Sequence, residues 1–238
     1  MTDAVVSLDA VSRTFRMGDV SVPVLHDVSL EVLRGEALAV VGPSGSGKSS
    51  LMSLIGLLDR PTSGRILVEG VDTGRLSPDR CAALRNRRIG FVFQSYNLLG
   101  RHSALDNVQL PLLYAGVGRA ERRRRAEAAL DSVGLAQRAG HLPSRLSGGE
   151  QQRVAIARAL VTDPGIVLAD EPTGALDSST GLEILALFRS LNHAGRTLLI
   201  ITHDMGVAAR CGRVVRLHDG RVASDQAQSA PGSARVLA

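Results

Sequence analysis

The chain has 238 residues, of which 44% are hydrophobic and only 3% aromatic, enough for one domain with an insertion or two small ones around an aliphatic core. Its formal net charge of +5 is too modest to choose among nucleic acid, anionic lipid and nucleotide phosphate as partners. The opening MTDAVVSLDAVSR has an early acid and no apolar core, so no signal peptide is expected. No apolar run reaches the ~18 residues of a membrane span, so any membrane role would come through a partner. Cys81 and Cys211 stand alone, which suits a reducing compartment better than a disulfide scaffold.

In chain order, VSLEVLRGE alternates and turns at Arg34-Gly35, as in an antiparallel layer. ALAVVG (37–42), IGFVF (89–93), GIVLAD (165–170) and TLLIIT (197–202) are continuous apolar runs, expected of strands covered on both faces of a parallel sheet. The segment from about 95 to 161 carries most of the arginine clusters and is predicted to be a helical insertion into an α/β core. In LEILALFRSL, Leu185, Phe188 and Leu191 form the expected apolar stripe of a helix. RVVRLHDGRV is predicted to be a hairpin turning at Asp219-Gly220. One domain over 1–222 is expected, followed by a mobile Ser/Ala/Gln/Gly-rich tail over 223–238.

GPSGSGKS, Gly42 to Ser49, is a G-x-x-x-x-G-K-S loop between a strand and a helix pattern. Gly42, Gly45 and Gly47 let the backbone aim N–H groups inward, and the following helix adds its positive end. Lys48 would reach the β- and γ-phosphates, and Ser49 would bind Mg²⁺ through its hydroxyl. Lys48 is also the only lysine among 28 basic residues. A thin stem with a compact ammonium fits a closed glycine loop where a planar guanidinium does not. In IVLADE, Asp170 at a strand end would hold the metal and Glu171 would polarise an attacking water, although two acids there can also simply end a sheet. His203 ends another strand, where it could contact the γ-phosphate or serve only structure. Ser147 and Glu150 form a capping box before a helix bearing Val154, Ala157 and Val161. A capped helix needs no ligand, yet Gly148 and Gly149 leave its end open to a phosphate, with Ser147 as an added donor.

Taken in order, Gly42–Ser49, Gln94, LSGGE, IVLADE, GALD (174–177) and His203 strongly resemble the ATP-binding subunit of an ABC transporter, over roughly residues 6–222. The resemblance implies a P-loop NTPase core of ABC type with an antiparallel β layer and a helical insertion subdomain. It implies Mg²⁺-dependent ATP hydrolysis in a head-to-tail homodimer that sandwiches two ATP molecules. Catalysis would fall to Glu171, His203 and Gln94. Nucleotide would be held by Phe15, Gly42, Pro43, Ser44, Gly45, Ser46, Gly47, Lys48, Ser49 and Ser50 of one copy, and by Ser147, Gly148 and Gly149 of the other. Asp177 would lie at the seam, and Ser49, Gln94 and Asp170 would serve the metal. Phe15 stands where the family usually stacks a tyrosine on adenine, and Glu150 replaces the commoner glutamine.

VLHDVSLEV, IGLLDRPTSG and FVFQSYNLLGRHSALDNVQLPLLYAG further resemble the lipoprotein-releasing and macrolide-exporting branch. A separate permease subunit is then expected to dock near Gln94, Tyr96, Leu98 and Leu99, with the chain on the cytoplasmic face of the membrane and no nucleic acid bound. An ATP-driven regulatory switch on a permease-like protein is the alternative. A soluble DNA-repair or translation ATPase would need coiled coils, zinc modules or a second core, and the sequence shows none. The arginine run over 119–125 is expected to be a solvated helix face, with anionic lipid contact as the lesser reading.

Overall fold

The computed structural model describes residues 3–228. The chain divides into two compact units, one containing residues up to Gly74 and from Thr197 onward, the other Arg75–Arg196. The first holds β1 (Ala4–Met17), β2 (Val20–Leu33), β3 (Ala37–Val41), α1 (Lys48–Ile55), β4 (Ser63–Val68) and β5 (Val71–Asp72). The second holds α2 (Pro78–Arg88), β6 (Ile89–Val92), α3 (Ala104–Tyr114), α4 (Arg119–Ser132), α5 (Gly148–Leu160), β7 (Ile166–Asp170) and α6 (Ser178–His193). The chain then returns to the first unit with β8 (Thr197–Ile201), α7 (Met205–Ala208), β9 (Arg213–His218) and β10 (Arg221–Ala227).

The first unit stacks two kinds of sheet. An antiparallel sheet runs β2-β1-β4-β5, and a second group runs β10-β9-β3-β8. Strand β3 is parallel to both β8 and β9. Leu38, Ala39 and Val40 are fully buried there, as a strand covered on both faces must be. Each such Leu or Val contributes about 1.5–3 kcal/mol by leaving water. The hairpin of β9 and β10 turns at Asp219-Gly220 as expected. Residues 224–227, expected to lie in a tail, instead pair along β9, with Ala223 at a register shift. The ladder's hydrogen bonds and the Arg213–Asp225 ion pair hold them. The rest of that expected tail, 229–238, lies outside the described residues.

In the second unit β6 and β7 are parallel, and α3, α4 and α5 fall within the window expected for the helical insertion. The α5 core face carries Val154, Ile156 and Ala157, all buried. On α6 the buried stripe is Gly181, Ile184 and Phe188, with Leu185 and Leu191 at its margin, not at its centre as expected. Helix α4 buries only Ala126 and Leu130. Three of its arginines are solvated and paired within the helix, Arg124 and Arg125 to Glu121 and Arg123 to Glu127, while Arg122 is half-buried and donates to the Val117 carbonyl.

Candidate functional site

In the first unit the glycine loop joins β3 to α1. Lys48 folds back across it, its Nζ donating to the carbonyls of Gly42 at 2.7 Å and Pro43 at 2.8 Å. Pro43, Ser44, Gly45 and Ser49 are exposed, and Ser50 is half-buried. Gly47 caps α1 at φ +100°, and a Cβ there would lie 2.8 Å from Leu25 Cδ2 and 2.9 Å from the Val24 carbonyl. Only glycine satisfies both the left-handed backbone and that contact. No side chain caps α1, so its first-turn N–H groups are left to backbone, water or an anion. Ser46 is 2% exposed, yet its Oγ has no hydrogen-bond partner, a donor inside the loop that the protein itself leaves unused. The loop is held from outside by the β9–β10 turn, where Gly220 N–H donates to the Ser46 carbonyl at 3.1 Å.

His203 reaches the same end of the same strands. Val40 pairs with Ile201 in the parallel ladder, so Gly42 and His203 each lie two residues past a paired position. His203 is exposed, in the short link between β8 and α7. Phe15 lies on β1 with 37% of its surface exposed. The Arg13 guanidinium stacks 4.5 Å from its ring centroid and takes one face.

The second unit repeats the arrangement. Val92 pairs with Ala169 in a parallel ladder, so Gln94 and Glu171 are each two residues beyond it, with Asp170 closing β7. Glu171 adopts φ +43°, a strained conformation for a side chain with a Cβ. Its carbonyl accepts the Gly174 N–H at 3.0 Å. The Gln94 amide packs over Gly174, with Nε2 2.8 Å from where a Cβ would sit. This unit therefore brings together Gln94 and the turn that follows Glu171.

Helix α5 opens with the expected capping box. Ser147 Oγ accepts the Glu150 N–H at 3.2 Å, and Glu150 Oε2 accepts the Ser147 N–H at 2.8 Å. The Ser147 side chain also hydrogen-bonds the Glu150 carboxyl, so hydroxyl and carboxylate are engaged with each other within the cap. The glycines do more than clear the helix end. Gly149 is buried, and a Cβ there would meet Thr180 Cγ2 at 2.4 Å. Gly148 faces the Tyr96 hydroxyl, 2.9 Å from a notional Cβ. Asp177 caps α6, accepting from Thr180 N, Ser179 Oγ and Thr180 Oγ1 at 3.0, 2.6 and 2.6 Å. Those donors, Ser179 first, hold its carboxyl well below the usual range.

Of the residues expected to dock a permease, Leu99 is 45% exposed and Leu98 half-buried. Tyr96 differs: its ring turns towards Gly148, and burial raises its phenol pKa. Tyr96 and Asn97 both have positive φ, 58° and 50°. Arg158, on α5, holds them, donating to the Tyr96 carbonyl at 2.7 Å and the Asn97 carbonyl at 2.6 Å. Asn107, fully buried on α3, ties down the next stretch, accepting from Leu99 N and donating to the carbonyls of Leu99, His102 and Ser103. Sequence reasoning missed both residues. For Arg158 the available signal was a charge four residues from Val154 and three from Val161, on the apolar face of the helix.

The family model for the ABC transporter matches residues 25–174. An uncharacterised ABC transporter ATP-binding protein of Thermotoga maritima is 53% identical over 92% of this chain and 93% of its own. Macrolide export ATP-binding/permease proteins MacB of Sodalis glossinidius and Rhodospirillum rubrum are 51% and 52% identical over 94% and 98% of this chain. The chain spans only 34% and 36% of the length of those two relatives. Among solved structures, the ATP-binding cassette MJ0796, dimeric and bound to ADP and Pi after hydrolysis, superposes with a TM-score of 0.86. It is 43% identical, over 94% of this chain and 99% of its own. Among the described residues no helix is long and apolar enough to cross a membrane. The chain belongs to the ABC transporter ATP-binding family, and its activity is the binding and hydrolysis of ATP.

Proposed function

We propose that this chain is the ATPase motor of a membrane export or extraction complex, acting as a head-to-tail homodimer beneath a permease. The observation that carries the reading is its 51–52% identity, over 94–98% of its length, to 34–36% of the length of macrolide export ATP-binding/permease proteins. The Thermotoga relative, matched over 93% of its own length, supports a permease carried on a separate chain. The regulatory-switch alternative has no observation in its favour.

In this reading the Gly42–Ser50 loop and the open N-terminus of α1 cradle the phosphates, and Lys48 leaves its carbonyl partners to reach the β- and γ-phosphates. The Ser49 hydroxyl, the Asp170 carboxylate and the Gln94 amide oxygen are hard donors of the kind Mg²⁺ takes, and would hold it together with phosphate oxygens and water. Mg²⁺ would supply charge neutralisation on those oxygens. Glu171 would take the proton of the attacking water, His203 would orient the γ-phosphate, and Phe15 would offer its free face to adenine. Ser147 and Gly148 of a second copy would donate to the γ-phosphate, with Asp177 at the seam. The permease would dock near Gln94, Tyr96, Leu98 and Leu99, of which Leu99 is exposed, and the exposed Leu113 and Tyr114 of the same unit would add apolar contacts. The site of action would be the cytoplasmic face of the membrane.

The test is co-purification from detergent-solubilised membranes, using Glu171→Gln with ATP and mass spectrometry of what is retained. A permease with few spans and a large outer domain is expected. Retention of soluble proteins or nucleic acid alone would overturn the proposal.

A further inference from the structure

Helix α5 starts with an acid close to the terminus proposed to receive a phosphate. We infer that Arg138 is a positioning residue, one that holds the Glu150 carboxylate in its cap and neutralises its charge beside that terminus, so that the first N–H groups of α5 remain able to bind an anion. The inference rests on the phosphate-reader role of Ser147 proposed above.

Both carboxylate oxygens of Glu150 are committed. Oε2 accepts the Ser147 N–H at 2.8 Å, and Oε1 accepts Arg138 Nε–H at 3.0 Å. These contacts, the Ser147 N–H first, hold the Glu150 carboxyl below its usual range, so it carries a full charge. Arg138 is itself fixed. It ends a short 3-10 turn, Ala136–Arg138, and its Nη1 donates to His141 Nε2 at 3.3 Å. The segment is tied to the start of α3, with Ala104 N–H donating to the His141 carbonyl at 2.8 Å and Leu105 N–H to the Ala139 carbonyl at 2.9 Å.

Stability does not explain the pair. The Arg138 and Glu150 side chains are 49% and 27% exposed, and ion pairs so open to water contribute little to folding. Electrostatics at the helix end does explain it. A carboxylate in the first turn suits the helix dipole, but it repels any phosphate approaching the same end. A guanidinium on the second carboxylate oxygen offsets that charge and leaves the open N–H groups at the start of α5 as the donors. Glutamine at this position would keep the capping box without the charge, so Arg138 should matter only while residue 150 is an acid.

The experiment measures ATP hydrolysis against protein concentration at saturating ATP, for wild type, Arg138→Ala, Glu150→Gln and the double variant. Binding of a fluorescent ATP analogue and thermal melting accompany it. Arg138→Ala is expected to raise the half-activating protein concentration about 5–20-fold, to keep nucleotide binding and melting near wild type, and to lose most of the effect at high salt. In the Glu150→Gln background the effect of Arg138→Ala should fall below about twofold. An equal effect in both backgrounds, or none in either, would overturn the inference. Wild-type hydrolysis independent of protein concentration would instead overturn the phosphate-reader role itself, and this inference with it.

Discussion

Helices α1 and α5 both begin at a glycine-rich turn, and they treat their first-turn N–H groups in opposite ways. Gly47 caps α1 with backbone alone, in a left-handed conformation packed against Leu25 and Val24, and no acid stands in the first turn. Ser147 and Glu150 cap α5 with a reciprocal pair of side-chain bonds, and an acid does stand there. The α1 terminus therefore has no side-chain cap of its own, and its loop is braced from outside by the β9–β10 turn. The α5 terminus satisfies part of itself with its own side chains. An anion should be the missing partner of α1 and only an added partner of α5. Substitutions near α1 should then act mainly on ATP affinity, and those near α5 on association of two copies.

The largest expected effect sharpens this contrast by leaving both termini intact. Glu171→Gln should lower phosphate release at least ~100-fold in steady-state assays while ATP binding persists. Lys48→Arg keeps the charge but not the shape. It should weaken ATP affinity at least ~10-fold by fluorescence titration, because a guanidinium cannot occupy the pocket between the Gly42 and Pro43 carbonyls. Near-normal affinity would break the account of α1. Arg158→Ala removes the two-pronged hold on Tyr96 and Asn97 and should destabilise the chain by about 2 kcal/mol. For a chain of this size that lowers the melting temperature by about 4–8 °C. Arg158→Lys should recover only part of it, since one ammonium cannot reproduce the fork. Ser147→Ala should cost about 1 kcal/mol of helix capping and leave ATP affinity unchanged. A large loss of ATP affinity there would erase the contrast between the two helices. The smallest effect belongs to α4. Arg124 and Arg125 hold the exposed Glu121 carboxyl down to about 2. Its folded value is depressed, so its contribution is present above the ordinary carboxylate range and fades as pH falls towards 2. Glu121→Ala should move melting by less than about 1 °C at neutral pH.

The legible parts of the molecule were those written in contiguous residues. Eight residues spell the phosphate loop, and four continuous apolar runs became β3, β6, β7 and β8. The capping box of α5 was readable because its partners are three residues apart. Strand β1 was not, because its register slips between Leu8 and Val11 and again near Arg13 destroy the two-residue alternation. The α6 stripe was misplaced because leucines crowd both flanks of Ile184 and Phe188. Arg158 reaches carbonyls 61 and 62 residues away, and Arg138 a carboxylate 12 residues away. No local pattern announces such bonds, since the fold alone brings the partners within reach. The bracing of the phosphate loop by Gly220 was hidden for the same reason.

The most direct test of the central claim, an ATP-driven motor that works as a pair of copies, is the solution mass of Glu171→Gln by light scattering, with and without ATP and Mg²⁺. The account predicts one copy without nucleotide and two with it, with the pair weakened when Ser147→Ala is added. A protein that binds ATP and stays at the mass of one copy at every concentration tested would contradict it.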